Sequence, residues 1–113
     1  MANDCLFCRI AKKEIPASIV AENEFCVAFR DINPQAPIHV LVIPKEHIPS
    51  LTDVKSYPIV GKMHETAVQL AKSEGIAERG YRTVMNTNAD AGQTVAHIHL
   101  HLLGGRRMAW PPG

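Results

Sequence analysis

The chain has 113 residues, of which 46% are hydrophobic and 20% charged, and its formal net charge is +1. This composition is that of a globular protein and excludes a disordered chain, and the near-neutral charge gives no reason to expect a nucleic-acid or membrane-surface partner. Because the sequence shows no internal repeat or linker-like segment, we expect residues 1–113 to form a single domain around one core.

Nothing in the sequence reads as a membrane span or a secretion signal. Apolar runs stay far below the roughly 18 residues of a membrane helix, and the opening MANDCLFC lacks the basic and apolar regions of a leader. We therefore expect a cytoplasmic protein with reduced cysteines. Three cysteines fit a disulfide scaffold poorly, so Cys5-x-x-Cys8 indicates metal ligands or a thiol pair, and Cys26 indicates core packing.

Apolar periodicity and turn residues divide the chain into short strands and one long helix. The predicted helices are a short one within CLFCRIAKKEIP, ending before Pro16, and a long one from Tyr57 to Gly75 that carries a surface His64. The predicted strands are SIVAEN, FCVAFRD, IHVLVIP, YRTVMNT and HIHLHLL, of which the first two form a hairpin and the last follows the loop NADAGQT. This order indicates an α+β fold in which the long helix covers one face of an antiparallel sheet.

The last predicted strand, HIHLHLL at residues 97–103, holds three of the six histidines of the chain. On a strand, His97, His99 and His101 would share one face at a spacing of roughly 6.6–7 Å, with the apolar residues between them facing the core. Such imidazoles can bind a metal, or one can attack an electrophile while another donates a hydrogen bond. The preceding AGQT offers backbone N–H groups, an amide and a hydroxyl, which are the donors that a phosphate requires.

The segment AGQTVAHIHLHLLGG resembles the signature of the histidine triad (HIT) family, in which three histidines alternate with apolar residues after a Gly-Gln-Ser/Thr turn. KEIPA, FRDINPQAPIHVLVIPKEH, GYRTVMN and LLGGRRMAWPPG are similar to the branch that hydrolyses purine nucleoside phosphoramidates. The likeness covers nearly the whole chain. It implies a HIT-like fold with a five-stranded antiparallel sheet, one long helix and a short N-terminal helix. It also implies a homodimer that joins two such sheets into a continuous ten-stranded sheet.

The resemblance assigns the catalytic roles position by position. In the family, the middle histidine of the triad attacks the α-phosphorus and forms a nucleotidyl-histidine intermediate that water cleaves, and this role falls on His99. His101 would bind the phosphoryl oxygens, and His39 would lie behind the triad in the proton path. Thr94 would contact the leaving nitrogen. Thr94 replaces the serine common in this branch but keeps its hydroxyl.

The resemblance also implies a site for purine nucleotides, with adenosine and guanosine compounds both accepted. Asp31 would accept the ribose hydroxyls, Gln93 and the backbone around Gly92 would stabilise charge on the phosphoryl oxygens, and Trp110 would reach the site of the partner subunit. The apolar slot for the base and its surroundings would be formed by Leu6, Phe7, Ile10, Phe29, Ile32 and Asn86. Judged from the residues alone, Asp31 could instead cap the proline turn and His39 could be a core histidine.

Two cysteines do not complete a tetrahedral zinc site, so Cys5 and Cys8 would need two further ligands. Many microbial members of the family hold structural zinc with such a pair, a histidine after IPK and the first histidine of the triad. The matching residues are Cys5, Cys8, His47 and His97. The resemblance therefore implies structural zinc and no organic cofactor, and the alternative is a pair of free, reduced thiols.

The function that the resemblance favours is hydrolysis of the P–N bond in purine nucleoside phosphoramidates, with purine nucleoside monophosphates among the bound ligands. Two alternatives remain open. The protein could be a non-catalytic purine-nucleotide-binding or scaffold protein, or the dinucleoside polyphosphate hydrolase of the sister branch. The tail RRMAWPPG argues against the sister branch because it matches the phosphoramidase branch.

Overall fold

The computed structural model describes residues 4–113 and shows one five-stranded sheet in which every neighbouring pair of strands is antiparallel. The strands are β1 (Ile19–Glu22), β2 (Cys26–Arg30), β3 (Ile38–Pro44), β4 (Tyr81–Val84) and β5 (Leu100–Gly104), in the spatial order β1-β2-β3-β5-β4. The helices are α1 (Leu6–Ala11), α2 (Pro58–Ser73) and the single turn α3 (Asn88–Ala91), with a 3-10 turn at Leu51–Asp53. The predicted α+β fold is confirmed. None of these helices is long and apolar enough to cross a membrane.

The long helix α2 packs its apolar stripe against one face of the sheet. Pro58 occupies the first helical turn, where its missing N–H costs nothing, and His64 is exposed on the solvent side. The face of α2 toward the sheet buries Met63, Ala67, Leu70 and Ala71. Its partners on the strands are Cys26, Ala28, Val40, Val42, Leu100 and Leu102. This layer forms the main core, and it includes Cys26 as expected.

The opposite face of the sheet is also partly covered. The six-residue helix α1 buries Phe7 and Ile10 against the alternate side chains of β2 and β3, which are Val27, Phe29, Leu41 and Ile43. The long helix therefore covers one face of the sheet, as predicted, and α1 covers part of the other. Helix α1 is too short to show apolar periodicity in the sequence, and its role is visible only once it lies on the sheet.

The histidine segment is only in part a strand. Strand β5 begins at Leu100, so His97 and His99 precede it, whereas His101 lies within it, opposite Leu41. The pairing of β3 with β5 stops after Val42 and Leu100. Two residues beyond Val42 on β3 is Pro44, which has no N–H to donate to β5, so the pairing does not continue. The three histidines are therefore not on one regular strand, but Phe7 contacts both His97 and His99, and Ile98 packs in the same core as Leu100 and Leu102, as the predicted common face requires.

A glycine pair ends β5 where the chain must pass close to its neighbours. Gly105 has φ of 90°, and a Cβ at this position would lie 2.9 Å from Cβ of Pro37. The backbone conformation and the close contact both favour glycine here. By contrast, Gly61 lies inside α2, and a Cβ added to it would meet no atom within 4 Å.

We expect Gly105→Ala to lower the free energy of unfolding by about 1–3 kcal/mol, because alanine is strained at positive φ and would contact Pro37. The matched variant Gly61→Ala should raise the free energy of unfolding by roughly 0.5–1 kcal/mol, since alanine is the better helix former. Urea unfolding at a fixed protein concentration measures both changes. Equal effects of the two substitutions would contradict the assigned role of Gly105.

Candidate functional site

A cleft of about 570 Å³ opens beside α1 on the face of the sheet opposite α2. It brings together nine of the residues predicted for catalysis or nucleotide binding, which are Leu6, Phe7, Ile10, Phe29, Asp31, Ile32, Thr94, His99 and His101. A larger groove of about 640 Å³ lies elsewhere and contains none of the three triad histidines. The cavity volume therefore does not identify the site. The site is identified by the predicted residues that line the smaller cleft.

The ring of His99 is oriented by the backbone of its own segment. Its Nδ1 lies 2.8 Å from the carbonyl oxygen of His97, and a carbonyl can only accept, so Nδ1 carries the proton. In the neutral ring, Nε2 is then left with a lone pair. The Phe7 ring lies edge-on at 5.0 Å between centroids and limits where the imidazole can turn. His99 thus has the protonation pattern of a nucleophile and lies in the wall of the cleft.

His39 and His101 form a hydrogen-bonded pair whose direction the backbone also determines. The Gln35 N–H donates to Nδ1 of His39 at 3.0 Å, so the proton of the neutral ring is on Nε2. This Nε2–H donates to Nδ1 of His101 at 2.9 Å. The proton of His101 must then be on its Nε2, which is buried without a hydrogen-bond partner within the described residues. An unpartnered N–H beside the His99 ring is a donor suited to an anionic ligand.

Burial keeps this pair of histidines neutral. Burial, together with the nearby His99 and His39 rings, lowers the pKa of His101 to about 4, and Asp31 opposes the shift. Burial also lowers the pKa of His39, again opposed by Asp31. Near pH 7 the two rings therefore act as neutral hydrogen-bond donors and acceptors.

Asp31 both caps a turn and approaches the histidine pair. Its Oδ1 accepts the Asn33 N–H at 2.8 Å, and its Oδ2 lies 3.4 Å from Nε2 of His39. Ligand atoms of Asp31, His39 and His101 lie within 4.8 Å of one another, which raises the question of a metal. A metal would need the lone pair of His39 Nε2, but this nitrogen carries the proton because Nδ1 accepts from Gln35. The cluster is therefore a hydrogen-bonded chain.

Four residues predicted to contact nucleotide do not line the cleft, namely Asn86, Gly92, Gln93 and Trp110. The Gln93 amide donates to the carbonyl oxygens of Pro49 and Val95, at 2.6 and 3.0 Å, and accepts the Asn88 N–H at 2.9 Å. The Gln93 side chain thus holds the loop before the triad in place.

Trp110 extends from the surface. Its side chain is 80% exposed, and the Arg82 guanidinium lies 5.9 Å from the centre of its ring. Arg82 also donates to the carbonyl oxygen of Ala109 at 3.1 Å, which helps to hold the tail against β4. An exposed tryptophan beside an edge strand is typical of a surface that contacts another chain.

The four predicted metal ligands lie together, and one of them, His97, contacts the Phe7 ring. Nδ1 of His97 lies 3.3 Å from Sγ of Cys5, 3.5 Å from Sγ of Cys8 and 3.3 Å from Nδ1 of His47. Nδ1 of His47 lies 3.2 Å from Sγ of Cys8. Bonds of about 2.0–2.3 Å in a tetrahedral zinc site separate the ligand atoms by roughly 3.3–3.8 Å, so the spacing of this group fits a metal.

The surroundings of the cluster also fit a metal. Nε2 of the fully buried His97 donates to the carbonyl oxygen of Pro44 at 2.9 Å, which leaves the Nδ1 lone pair directed at the cysteines. Burial lowers the pKa of His97 to about 4, so the ring is a neutral ligand near pH 7. Burial and the adjacent Cys5 raise the pKa of the Cys8 thiol to about 11. A thiolate at Cys8 therefore requires a cation among the ligands.

The sequence did not predict several residues of the cleft wall, which are Ile15, Pro16, Ala17, Ser18, Arg30, Leu41 and Val95. Most are apolar or small and carry no chemical signal. The hydrogen bonds of Gln35 and Pro44 to histidine rings were not predicted either. They are made by backbone groups, and the types of side chain in a sequence do not show where those groups bond. Leu41 was identifiable from its place opposite His101, once the strand register is known.

We expect the His101 ring to remain neutral at pH 6, with its proton on Nε2, because its pKa is about 4. A histidine with the ordinary pKa of about 6.5 is mostly protonated at that pH. Long-range ¹H–¹⁵N NMR spectra of ring-labelled protein measure the protonation state of each nitrogen. A His101 ring protonated on both nitrogens at pH 6 would refute the proposed direction of the hydrogen bonds.

Three comparisons with known proteins agree with this geometry. A family model, the HIT domain, matches residues 12–108. The chain is 50% identical over 108 residues to the purine nucleoside phosphoramidase of Escherichia coli K12, covering 94% of this chain and 91% of that relative. It superposes with TM-score 0.95 on a HIT family hydrolase from Legionella pneumophila, which is 54% identical, over 97% of this chain and 100% of that chain. A histidine triad nucleotide-binding protein from Candida albicans has a TM-score of 0.84 and 32% identity, over 96% and 83% of the two chains. The chain therefore belongs to the HIT family.

Proposed function

We propose that the protein hydrolyses the P–N bond of purine nucleoside phosphoramidates through a covalent intermediate on His99. The observation that carries this proposal is the hydrogen bond from His99 Nδ1–H to the carbonyl oxygen of His97, which leaves the Nε2 lone pair available beside an unpartnered His101 N–H. The likeness to a purine nucleoside phosphoramidase and to a HIT family hydrolase supports a hydrolase.

The first displacement uses groups that are already in place. Nε2 of His99 attacks the α-phosphorus and forms an N–P bond as the P–N bond to the amine breaks. The Nε2–H of His101 hydrogen-bonds the phosphoryl oxygens as their negative charge grows, an effect worth roughly 3–4 kcal/mol for one well-placed donor. The exposed Thr94, in the cleft wall, offers its hydroxyl to the leaving nitrogen, which takes up a proton from solvent water and departs as a neutral amine.

The second displacement regenerates the enzyme. Water attacks the phosphorus and releases a proton to solvent, which balances the proton taken up by the amine. The bond to His99 breaks, and the ring departs as a neutral imidazole with its Nδ1 proton still donated to His97. The products are a nucleoside monophosphate and the amine. Because the Nδ1 proton of His99 stays hydrogen-bonded to the same carbonyl oxygen in both steps, the ring needs no change of tautomer between them.

Nucleotide binding would place the base against the apolar wall. Phe7 and Phe29 pack edge to face at 5.5 Å between centroids, and Ile32 is fully exposed at the rim of the cleft. Aromatic and aliphatic surfaces of this kind contact a purine by stacking and discriminate weakly between adenine and guanine. Asp31 lies at the same rim and is the acceptor proposed for the ribose hydroxyls.

A homodimer would explain the edge of the sheet and the tail. Within residues 4–113, β4 pairs only with β5, so its second edge has unpaired backbone groups that a second β4 could satisfy. The exposed Trp110 lies beside that edge, held by Arg82 of β4. Pairing of β4 with its copy would produce the continuous ten-stranded sheet and bring Trp110 toward the partner's cleft.

The Cys5, Cys8, His47 and His97 cluster is proposed to hold structural zinc. Two thiolates and two imidazoles are a common ligand set for structural zinc, and their spacing in the cluster fits a tetrahedral ion. Bound zinc would link α1 to the segment that carries His99. It would take no part in the displacement steps, because all four positions are occupied by protein ligands.

Substitution of His99 by Asn or Ala should lower kcat for adenosine 5′-monophosphoramidate by about 10³-fold or more, because the nucleophile is lost. His64→Asn is the matched control, since His64 is exposed on α2 and should have no effect. Rapid quenching without acid, followed by mass spectrometry, should show the nucleotidyl adduct on His99. Similar rates for His99→Asn and the unmodified protein would refute the assignment.

The same assay separates the alternative functions. Tight AMP binding with negligible turnover of any phosphoramidate would identify a binding protein. Faster turnover of diadenosine polyphosphates than of phosphoramidates would identify the sister activity.

Protein purified without added zinc should contain one zinc per chain, measured by inductively coupled plasma mass spectrometry. Cys8→Ser should abolish stoichiometric zinc, and a chelator should lower the melting temperature of the unmodified protein, because metal binding contributes to folding. Cys26→Ala removes a buried thiol outside the cluster and should keep its zinc. Metal-free protein with freely titrating Cys5 and Cys8 would contradict the proposal.

A further inference from the structure

Asp31 is tied to His39 by the backbone as well as by the side chain. The paired register of β2 and β3 ends with Arg30 opposite Val40. One position further on, the Asp31 N–H donates to the carbonyl oxygen of His39 at 3.0 Å. The two residues are therefore direct cross-strand neighbours, with side chains held next to each other.

The two carboxylate oxygens of Asp31 have different surroundings. Oδ1 is used by the turn, where it accepts the Asn33 N–H. Oδ2 faces Nε2 of His39 at 3.4 Å, and the two side chains are only 19% and 4% exposed. The attraction between the carboxylate and the ring N–H is thus weakly screened by water.

Within the part of the chain that the structure describes, no lysine or arginine competes for this carboxylate. The adjacent Arg30 points away and forms an ion pair with Glu74 at 2.9 Å. Throughout residues 4–113, His39 is the only basic side chain within 4 Å of the Asp31 carboxylate. The negative charge of the Asp31 carboxylate therefore acts mainly on the His39 ring.

We propose that Asp31 is a positioning residue for the hydrolysis: besides binding ribose, its carboxylate holds His39 so that the Nε2–H of His39 reaches Nδ1 of His101. This inference rests on the function proposed above. A carboxylate beside a histidine N–H favours the tautomer with the proton on that nitrogen and fixes the orientation of the ring. The Nε2–H of His39, held in this way, keeps Nδ1 of His101 as an acceptor, so the proton of His101 stays on Nε2 and is available to the phosphoryl oxygens.

Asp31 would then couple recognition of the ribose to recognition of the phosphate. The ribose hydroxyls and the phosphoryl oxygens are recognised by groups that contact each other, through Asp31, His39 and His101 in sequence. A role in ribose binding alone predicts no effect of Asp31 on a substrate that lacks those hydroxyls. A positioning role predicts that the effect on kcat persists.

The test measures kcat for two proteins, each with two substrates. The proteins are the unmodified chain and Asp31→Asn, which keeps an oxygen for the Asn33 turn but loses the charge. The substrates are adenosine 5′-monophosphoramidate and its 2′,3′-dideoxy analogue. We expect Asp31→Asn to lower kcat for the dideoxy analogue by about tenfold, the size of roughly one charge-assisted hydrogen bond. An equal kcat of both proteins on the dideoxy analogue overturns the inference.

Two further variants control for simpler causes. Glu65→Gln removes one negative charge from the exposed side of α2 and should leave both kcat values unchanged. Asp31→Ala removes the turn and the charge together. If Asp31→Asn restores kcat that Asp31→Ala has lost, the turn explains the effect and the inference fails.

NMR of the ligand-free protein tests the contact independently of turnover. The His39 Nε2–H should be observable in the unmodified protein and should exchange with water at least about tenfold faster in Asp31→Asn. Unchanged exchange overturns the inference even if the enzyme is active. Absence of phosphoramidase activity would refute the proposed function, while the exchange rate would still report on the Asp31–His39 contact.

Discussion

The hydrogen bond from His99 Nδ1–H to the carbonyl oxygen of His97 is the interaction on which both parts of the site depend. It leaves the Nε2 lone pair of His99 available in the cleft. It also uses the backbone of a residue whose side chain belongs to the Cys/His cluster. Any displacement of His97 therefore changes the orientation of His99. The Phe7 ring, in contact with both imidazoles, reinforces this connection.

Burial explains why similar residues serve different chemistry here. Burial lowers the pKa of His39, His97 and His101 and holds these rings neutral, and a neutral ring has one donor and one acceptor nitrogen. A backbone group determines which ring nitrogen carries the proton. This group is a carbonyl for His97 and His99, and an N–H for His39. The result is one ring suited to a metal, one suited to attack and one that passes a hydrogen bond onward. The difference between these roles lies in the local fold of the backbone.

Much of this arrangement could be predicted from the sequence. The strands, the long helix and the alternation of His99 and His101 follow from apolar periodicity, and the HIT resemblance identified nine of the residues that line the cleft. The predicted strand began too early, because the pairing of β3 and β5 stops near Pro44 while the pattern of alternating histidines continues past that point. The role of the Gln93 amide was unpredictable, since it depends on carbonyl groups of Pro49 and Val95. Backbone partners of this kind are determined by tertiary contacts.

Helix α1 has a consequence for how the molecule opens. It spans six residues, and isolated helices shorter than about 12 residues are marginal in water. Its persistence depends on Phe7 and Ile10 packing against the sheet and on Cys5 and Cys8 at the cluster. The N-terminal wall is thus a separate unit of low intrinsic stability, and local unfolding would begin there while the core between α2 and the sheet stays intact.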